Sequence, residues 1–343
     1  MTEKLVIINY AMDENHPIFS HQVQAVRAIS QFYSDVTVIT GSVGVFSVPA
    51  NVRVVNTNWV IGKNIGNVLR FASSAYKHIF CAKVAVFSHM TEVQSALIAP
   101  ITRLFRIPHY LWYAHKSKSR YLVWCYKWLN GIITSTSGSC PVAGNKVFVI
   151  GQGVDPTFFI PTEERINFRN FPLIHFGRFD PSKNIPEIIR VCEEFIQNRV
   201  PLTFTQVGSP STSEYARIAE RIKNKYKSEN WISFLPSKPR QELSGLLSKC
   251  YAMIHGYRGS LDKTLIEATM QRVPVITINE EYLEAFGSWS NSPIANLSGE
   301  LEAVMGLSAD ELNLELHRRQ AIALRSHSLV HWAESVAKTI NQD

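Results

Sequence analysis

The chain has 343 residues, 45% of them hydrophobic and 18% charged, with 35 Lys+Arg against 28 Asp+Glu and a formal net charge of +7. At roughly 100–200 residues per domain this length implies two domains, and the apolar content excludes a disordered chain. No apolar run reaches the ~18 residues needed to span a bilayer, which excludes a helical membrane protein.

Short apolar runs, many of them β-branched, predict strands at Leu5–Asn9, Val36–Thr40, Val52–Val55, Val84–Phe87, Tyr110–Tyr113, Ile132–Thr134 and Val147–Ile150. A second series follows at Leu173–Phe176, Leu202–Val207, Ile232–Leu235, Ala252–His255 and Val273–Thr277. Helical spacing fills the gaps: Val23, Val26, Ile29 and Tyr33 share one face of His21–Tyr33. Glu187–Gln197, Glu214–Tyr226 and Gln241–Lys249 read the same way. Continuous apolar strands alternating with helices predict an α/β fold with two doubly wound parallel sheets. The stretch 156–171 breaks the alternation with prolines and no period, so it is expected to link the two domains. In such sheets ligands bind beyond the carboxyl ends of the strands, and candidate functional residues are sought there.

The five cysteines form no C-x-x-C pair and read as reduced thiols. The opening Met-Thr-Glu-Lys before Leu5–Ile8 lacks the length and basic flank of a secretion signal. A cytoplasmic protein is expected. The charge is uneven: residues 1–160 carry 14 Lys+Arg and 6 Asp+Glu, a balance of +8, and residues 161–343 carry 21 and 22, a balance of −1. A basic half beside a neutral one points to an anionic partner or to a solvated basic face. Within it, Arg103, Arg106, Lys116, Lys118, Arg120 and Lys127 interleave with Trp112, Tyr121, Trp124, Tyr126 and Trp128. An aromatic helix over Tyr121–Leu129 would suit an anionic membrane surface or, equally, a buried face.

Two segments carry chemistry. Gly177-Arg178-Phe179-Asp180-Pro181-Ser182-Lys183-Asn184 lies between a predicted strand and a helix beginning near Pro186. Gly177 permits a tight turn, Arg178 offers a planar fork and Lys183 a point charge, and the helix start adds free N–H groups. The set suits a diphosphate; the alternative is a solvated loop. Further on, Gly256-Tyr257-Arg258-Gly259-Ser260-Leu261-Asp262 joins a strand to a helix containing Glu267. A carboxylate inside that helix suits the two hydroxyls of a ribose, or pairs with Lys263 four residues earlier. No H-E-x-x-H or paired D-x-D pattern is present, and no metal site is expected.

In this order the two segments resemble glycosyltransferase family four, the retaining nucleotide-sugar enzymes of GT-B architecture. That family carries a G-R-x-x-x-x-K-N loop, here Gly177 to Asn184, and an L-E-A-M-A-x-G-x-P-V helix, here Ile266 to Val275. Gly151-Gln152-Gly153-Val154-Asp155, Leu111-Trp112-Tyr113-Ala114-His115 and Arg325-Ser326-His327-Ser328-Leu329 are similar to further family segments, so the likeness spans nearly the whole chain. Two departures stand out. Gly259 occupies the position of a glutamate that helps hold the donor sugar, leaving Ser260 and Asp262 as the nearest polar replacements. The N-terminal glycine pair is replaced by the loop from Asn15 to Gln22.

The resemblance implies two Rossmann-like domains facing a central cleft. The acceptor domain would cover residues 1–155, the linker 156–171 and the nucleotide-sugar domain 172–320, with a C-terminal helix at 321–343 packing back towards the first domain. It implies Arg178, Lys183 and His115 at the reacting centre. Gly177, Glu267, Ser260, Asp262 and Gly259 would bind the donor, and Leu235 and Pro236 would read its base. His89 and His21 are acceptor-side candidates; for His89 and His115 a structural hydrogen bond at a strand end is the alternative. The donor would be a nucleotide-diphosphate sugar, with no permanently bound cofactor. The acceptor would be a glycan or lipid-linked glycan of surface polysaccharide or glycolipid assembly, and the basic half would serve a peripheral contact with the inner face of the plasma membrane. A nucleotide-sugar epimerase and a non-catalytic sugar-nucleotide or partner-binding subunit are the competing readings. A nucleic-acid partner leaves the 177–277 series unexplained and is not expected.

Overall fold

The computed structural model describes residues 2–16, 18–59, 64–161 and 170–342. Half of the expected linker, residues 162–169, therefore lies outside the described residues. The chain divides into two units, Met1–Gly153 with Ser328–Asp343, and Val154–His327.

The first unit runs β1 (Lys4–Met12), α1 (His21–Ser30), β2 (Asp35–Val43), β3 (Val52–Asn56), α2 (Asn64–Ile79), β4 (Val84–His89), α3 (Glu92–Leu104), β5 (His109–Trp112), α4 (Arg120–Tyr126), β6 (Gly131–Thr134) and β7 (Val147–Val149). Its seven strands form a sheet in the order β3-β2-β1-β4-β5-β6-β7, every pair parallel. Strand β4 is buried along its whole length, as the apolar run Val84–Phe87 covered on both faces requires. Helix α1 covers one face with Val23, Val26 and Ile29 against Leu5, Val36 and Phe87.

The second unit runs β8 (Phe171–Phe176), α5 (Ile185–Gln197), β9 (Leu202–Val207), α6 (Ser213–Lys225), β10 (Ile232–Leu235), α7 (Arg240–Leu247), β11 (Ala252–His255), α8 (Lys263–Met270), β12 (Val275–Thr277), α9 (Glu280–Phe286), α10 (Leu297–Met305) and α11 (Ala309–His327). Its strands lie in the order β10-β9-β8-β11-β12, again all parallel. Helix α5 shows why these segments are helical: Pro186 fits the first turn, and Ile185, Ile188, Ile189, Cys192 and Phe195 fall on one buried stripe. Arg190 and Glu187 pair on the outer face.

The last helix, α12 (Leu329–Ile340), belongs to the first unit. It lies on α1 and buries Trp332, Ala333, Val336 and Ile340 in the core that holds Leu5, Val26 and Phe87.

In both sheets the chain leaves the first strand on one side and returns on the other. The order therefore reverses between β1 and β4 in the first unit, and between β8 and β11 in the second. Those are the two places where loops diverge and leave room for a ligand.

Candidate functional site

The loops after β8 and β11 meet at the second unit's reversal point. After β8, Gly177 turns the chain, its N–H donating to the carbonyl of Val207 (3.1 Å), and the Phe179 N–H donates to Ser209 (3.1 Å). Gly208, at φ +146°, makes this approach feasible: a Cβ there would fall 1.9 Å from the Gly177 carbonyl oxygen. A single turn, Pro181–Lys183, follows, and Asn184 adopts the left-handed conformation (φ 53°) that starts α5. This geometry carries Lys183 inward. Arg178 remains 57% exposed, 3.5 Å from Asp180.

Lys183 donates to the carboxylate of Asp262, and its ammonium lies 4.2 Å from the centroid of the Tyr257 ring. Asp262 also caps α8 by accepting from the Thr264 N–H (3.2 Å) and lies 3.4 Å from His255 Nε2. Burial alone would raise its carboxyl, but the charge of Lys183 and the contact with His255 hold it well below the usual carboxylate range. Beneath the pair, the rings of His175 and His255 stack at 5.4 Å. His175 Nδ1 donates to Gln206 Oε1 (2.7 Å), and the Gln206 amide donates to the Gly177 carbonyl (3.0 Å), fixing the start of the loop. Burial pushes both imidazoles below their ordinary value, so both are neutral at pH 7.

Glu267 is buried in α8 and pairs with Arg240, the first residue of α7, at 3.2 Å. Its partner therefore comes from another helix rather than from Lys263 on its own. Burial raises the Glu267 carboxyl, with Arg240 opposing. Burial and the like charge of Arg240 push Lys263 down to about 7. The loop 257–260 is held from below by Asn279, whose Nδ2 donates to the carbonyls of Tyr257 (3.1 Å), Gly259 (3.1 Å) and Ser260 (3.3 Å). Leu235 closes β10, its carbonyl accepting from Gly208 (3.0 Å), with Pro236 next in the chain.

The structure thus brings Gly177, Lys183, Asp262, Gly259, Ser260 and Glu267 around the ends of β8 and β11. His175, His255, Gln206, Arg240, Tyr257 and Asn279 join them, and none of these six was singled out from the sequence. The one available signal was a polar residue at or next to the end of a strand, as at His175, Gln206 and His255.

In the first unit His89 closes β4 beside the reversal point. It is buried among the rings of Phe87, Trp112 and Trp332, with His21 at 5.8 Å. His21 Nδ1 is 3.1 Å from the Ile18 carbonyl. His115 lies in the exposed loop after β5, its Nδ1 accepting from the Ser117 N–H (3.0 Å). Burial raises the carboxyl of Glu92, in the first turn of α3. On α4, Leu122 and Cys125 face inward while Tyr121 and Trp124 stay 37% and 47% exposed. Arg120 and Lys127 lie over those two rings at 5.0 and 6.0 Å.

No protein-family model matches the chain, and no curated protein does. Solved structures do. Anabaena Alr3699/HepE in complex with UDP-glucose is 16% identical, with a TM-score of 0.75 over 99% of this chain and 100% of that one. Sucrose-phosphate synthase from Thermosynechococcus elongatus is 13% identical, with a TM-score of 0.75 over 99% and 98%. The apo form of the lipopolysaccharide outer core galactosyltransferase WaaB is 11% identical, with a TM-score of 0.69 over 98% and 99%. At these identities the likeness is one of fold, and the fold is GT-B: two Rossmann-like domains, each with a parallel sheet, as the sequence led one to expect.

Proposed function

We propose that this chain is a retaining, metal-independent glycosyltransferase that moves a sugar from a nucleotide-diphosphate donor to a glycan or lipid-linked acceptor in surface polysaccharide or glycolipid assembly. The observation that carries the reading is the meeting of Lys183, the Gly177 loop and the N-terminus of α8 at the point where the second sheet reverses its strand order. Backbone N–H groups, a helix start and a cation converging there suit a diphosphate.

Cleaving a sugar–diphosphate bond leaves negative charge on the departing phosphate. Lys183, with Arg178 swinging in from solvent, would stabilise that charge; one such donor is typically worth ~10²–10³ in turnover. The departing phosphate oxygen would take the acceptor proton, so no strong protein base is needed. Glu267, oriented by Arg240, would accept the ribose hydroxyls, and the backbone at Leu235 and Pro236 would read the base. The first unit would hold the acceptor, with His115, His89 and His21 as the side chains to test. UDP is the first base to try, because the HepE structures hold UDP, glucose and UDP-glucose.

A second reading, a non-catalytic nucleotide-sugar-binding subunit, draws support from Asp262, which already neutralises Lys183, and from Gly259, which brings no acid to the site.

Thermal unfolding with UDP, GDP, ADP, CMP and dTDP, on the wild type and an Arg178→Ala/Lys183→Ala variant, tests the donor site. A ligand at 100 times its dissociation constant stabilises the native state by ~2.7 kcal/mol. A shift with one nucleotide, lost in the double variant, is the expected result. No shift with any of the five would overturn the donor-site assignment. A shift without transfer to any acceptor would favour the non-catalytic subunit.

A further inference from the structure

In the loop after β11, the proposed chemistry leaves the Tyr257 side chain without a role. The Tyr257 ring lies over the Lys183 ammonium, 4.2 Å from its centroid, and meets His255 edge-on at 6.1 Å and 88°. A Cβ on Gly259 would fall 1.9 Å from both the Cζ and the hydroxyl oxygen of Tyr257. The phenol therefore fills the space that any side chain at 259 would enter. The two residues are coupled: a side chain at 259 would displace the ring from this place.

The ring is held in place. Asn279, fully buried, fixes the backbone on both sides of Arg258 through the carbonyls of Tyr257 and Gly259. Among the described residues the Tyr257 hydroxyl has no hydrogen-bond partner, and the side chain is only half-buried. A phenol that is oriented, accessible and unpartnered is ready to exchange a hydrogen bond with a ligand.

We infer that Tyr257 contacts the transferred sugar and helps to set donor specificity. This rests on the nucleotide-sugar reading above. A diphosphate held by Lys183 lies against the ring that covers this lysine, and the sugar is the group joined to that diphosphate by a single bond. The hydroxyl stands at the ring's far end, over Gly259. Its single O–H and its lone pairs match a sugar hydroxyl, whereas the phosphates are served by Lys183 and the backbone. A phenol in place of a carboxylate at this spot contributes a hydrogen bond without a second negative charge beside Asp262.

The test is calorimetric titration of the full chain and its Tyr257→Phe and Gly259→Ala variants. The ligand pairs are UDP and UDP-glucose, GDP and GDP-mannose, ADP and ADP-glucose, and dTDP and dTDP-glucose. For the pair that binds, Tyr257→Phe is expected to leave the diphosphate constant within twofold and to weaken the nucleotide sugar five- to tenfold. Gly259→Ala, whose methyl evicts the ring, is expected to weaken the nucleotide sugar at least as much. Equal weakening of both ligands by Tyr257→Phe would show the ring acting only through Lys183, and no weakening of either would remove the contact; each result overturns the inference while leaving the donor site intact. If no pair binds the wild type, the inference falls together with the nucleotide-sugar reading.

Discussion

Lys183 and Asp262 come from loops 79 residues apart and form a part-buried ion pair at the mouth of the second sheet. Asp262 does there what a bound phosphate oxygen would do: it accepts at the start of α8 and neutralises Lys183. A diphosphate must therefore compete with it. Asp262→Asn keeps an oxygen for the helix cap and removes the competing charge. The variant is expected to bind inorganic pyrophosphate and the cognate nucleoside diphosphate about tenfold more tightly, equivalent to ~1.4 kcal/mol. Without ligand it should be less stable, by roughly 1–3 kcal/mol, because Lys183 loses its partner. Calorimetric titration and urea unfolding measure the two effects. Weaker binding in the variant would instead make Asp262 a direct ligand contact.

How far this site could be read from sequence depends on how local each signal is. The Gly177–Asn184 loop was legible because its features are contiguous: an apolar strand, a glycine, two cations and a helix start. The strands were legible for the same reason, each containing a short apolar run. Glu267 was legible as an unusual acid inside an apolar helix, but its partner was not. A one-dimensional reading offers Lys263 at helical spacing, whereas the fold supplies Arg240 from the preceding helix. Gly259 was read as a backbone contact to the donor and as a missing acid, but not as the space a ring fills, since that ring is positioned by tertiary contacts. Asn279 looks like an ordinary helix cap for α9, and its second role exists only once β12 lies beside β11.

Asn279 gives the second prediction. Its amide donates to three carbonyls of the 257–260 loop, while its Oδ1 accepts from the Tyr282 N–H (3.0 Å). Asn279→Ala strips these groups of partners at a buried site, at a cost of ~2–4 kcal/mol. For a unit of this size that corresponds to a fall in Tm of about 5–10 °C. Asn279→Asp should be at least as harmful, because it turns a lone pair towards the same carbonyls. Hydrogen exchange should accelerate at 257–262 in both variants. Unchanged exchange there would mean that the loop is held by other contacts.

Acid should destabilise the protein in two stages. His109 is fully buried, 3.0 Å from the Ser88 hydroxyl and 3.2 Å from that of Thr102, and burial pushes its pKa down to about 3. A folded value below the unfolded ~6.5 means that the unfolded chain takes up protons first. The stability is thus complete above pH 6.5 and is lost as the pH falls towards 3. His175 and His255 share this sign. Asp262, also lowered, keeps its contribution down to about pH 4, the usual unfolded carboxylate value, and loses it only below. Between pH 6.5 and 4 these four groups therefore contribute only histidine losses. At pH 5 one such histidine accounts for about 2 kcal/mol. Urea midpoints at pH 7.5, 6 and 5 should fall less steeply in His109→Gln than in the wild type. Parallel slopes would exclude His109 as a contributor.

The α4 surface predicts a partner. Trp124 and Tyr121 are exposed while Arg120 and Lys127 lie over them, so aromatic area and positive charge occupy one face. Such a face suits an anionic interface, where each cation near the surface is worth about 1 kcal/mol. Among the described residues no helix is long and apolar enough to cross a membrane. Binding to phosphatidylserine-containing vesicles should weaken as salt rises. It should fall about tenfold in an Arg120→Ala/Lys127→Ala/Trp124→Ala variant. Equal binding to neutral vesicles would contradict the idea.

The C-terminal helix is expected to be essential to the first unit. Trp332 is buried, with the Trp112 ring at 5.2 Å, His89 at 5.7 Å and Phe87 at 6.1 Å. Its indole presses on Gly153, where an added Cβ would lie 3.0 Å from Cδ2. The indole N–H meets no partner among the described residues, so the residue contributes through volume rather than a hydrogen bond. Trp332→Ala should therefore cost ~3–5 kcal/mol, and Trp332→Phe, which keeps most of the ring, appreciably less. The same void would free His89, whose ring Trp332 confines at the end of β4. Hydrogen exchange should accelerate along β1, β4 and β5 in Trp332→Ala while β8 and β9 keep their protection. If β4 and β5 stay protected, α12 only covers a sheet that is stable without it, and His89 owes its position to its other neighbours, Phe87, Trp112 and His21 among them.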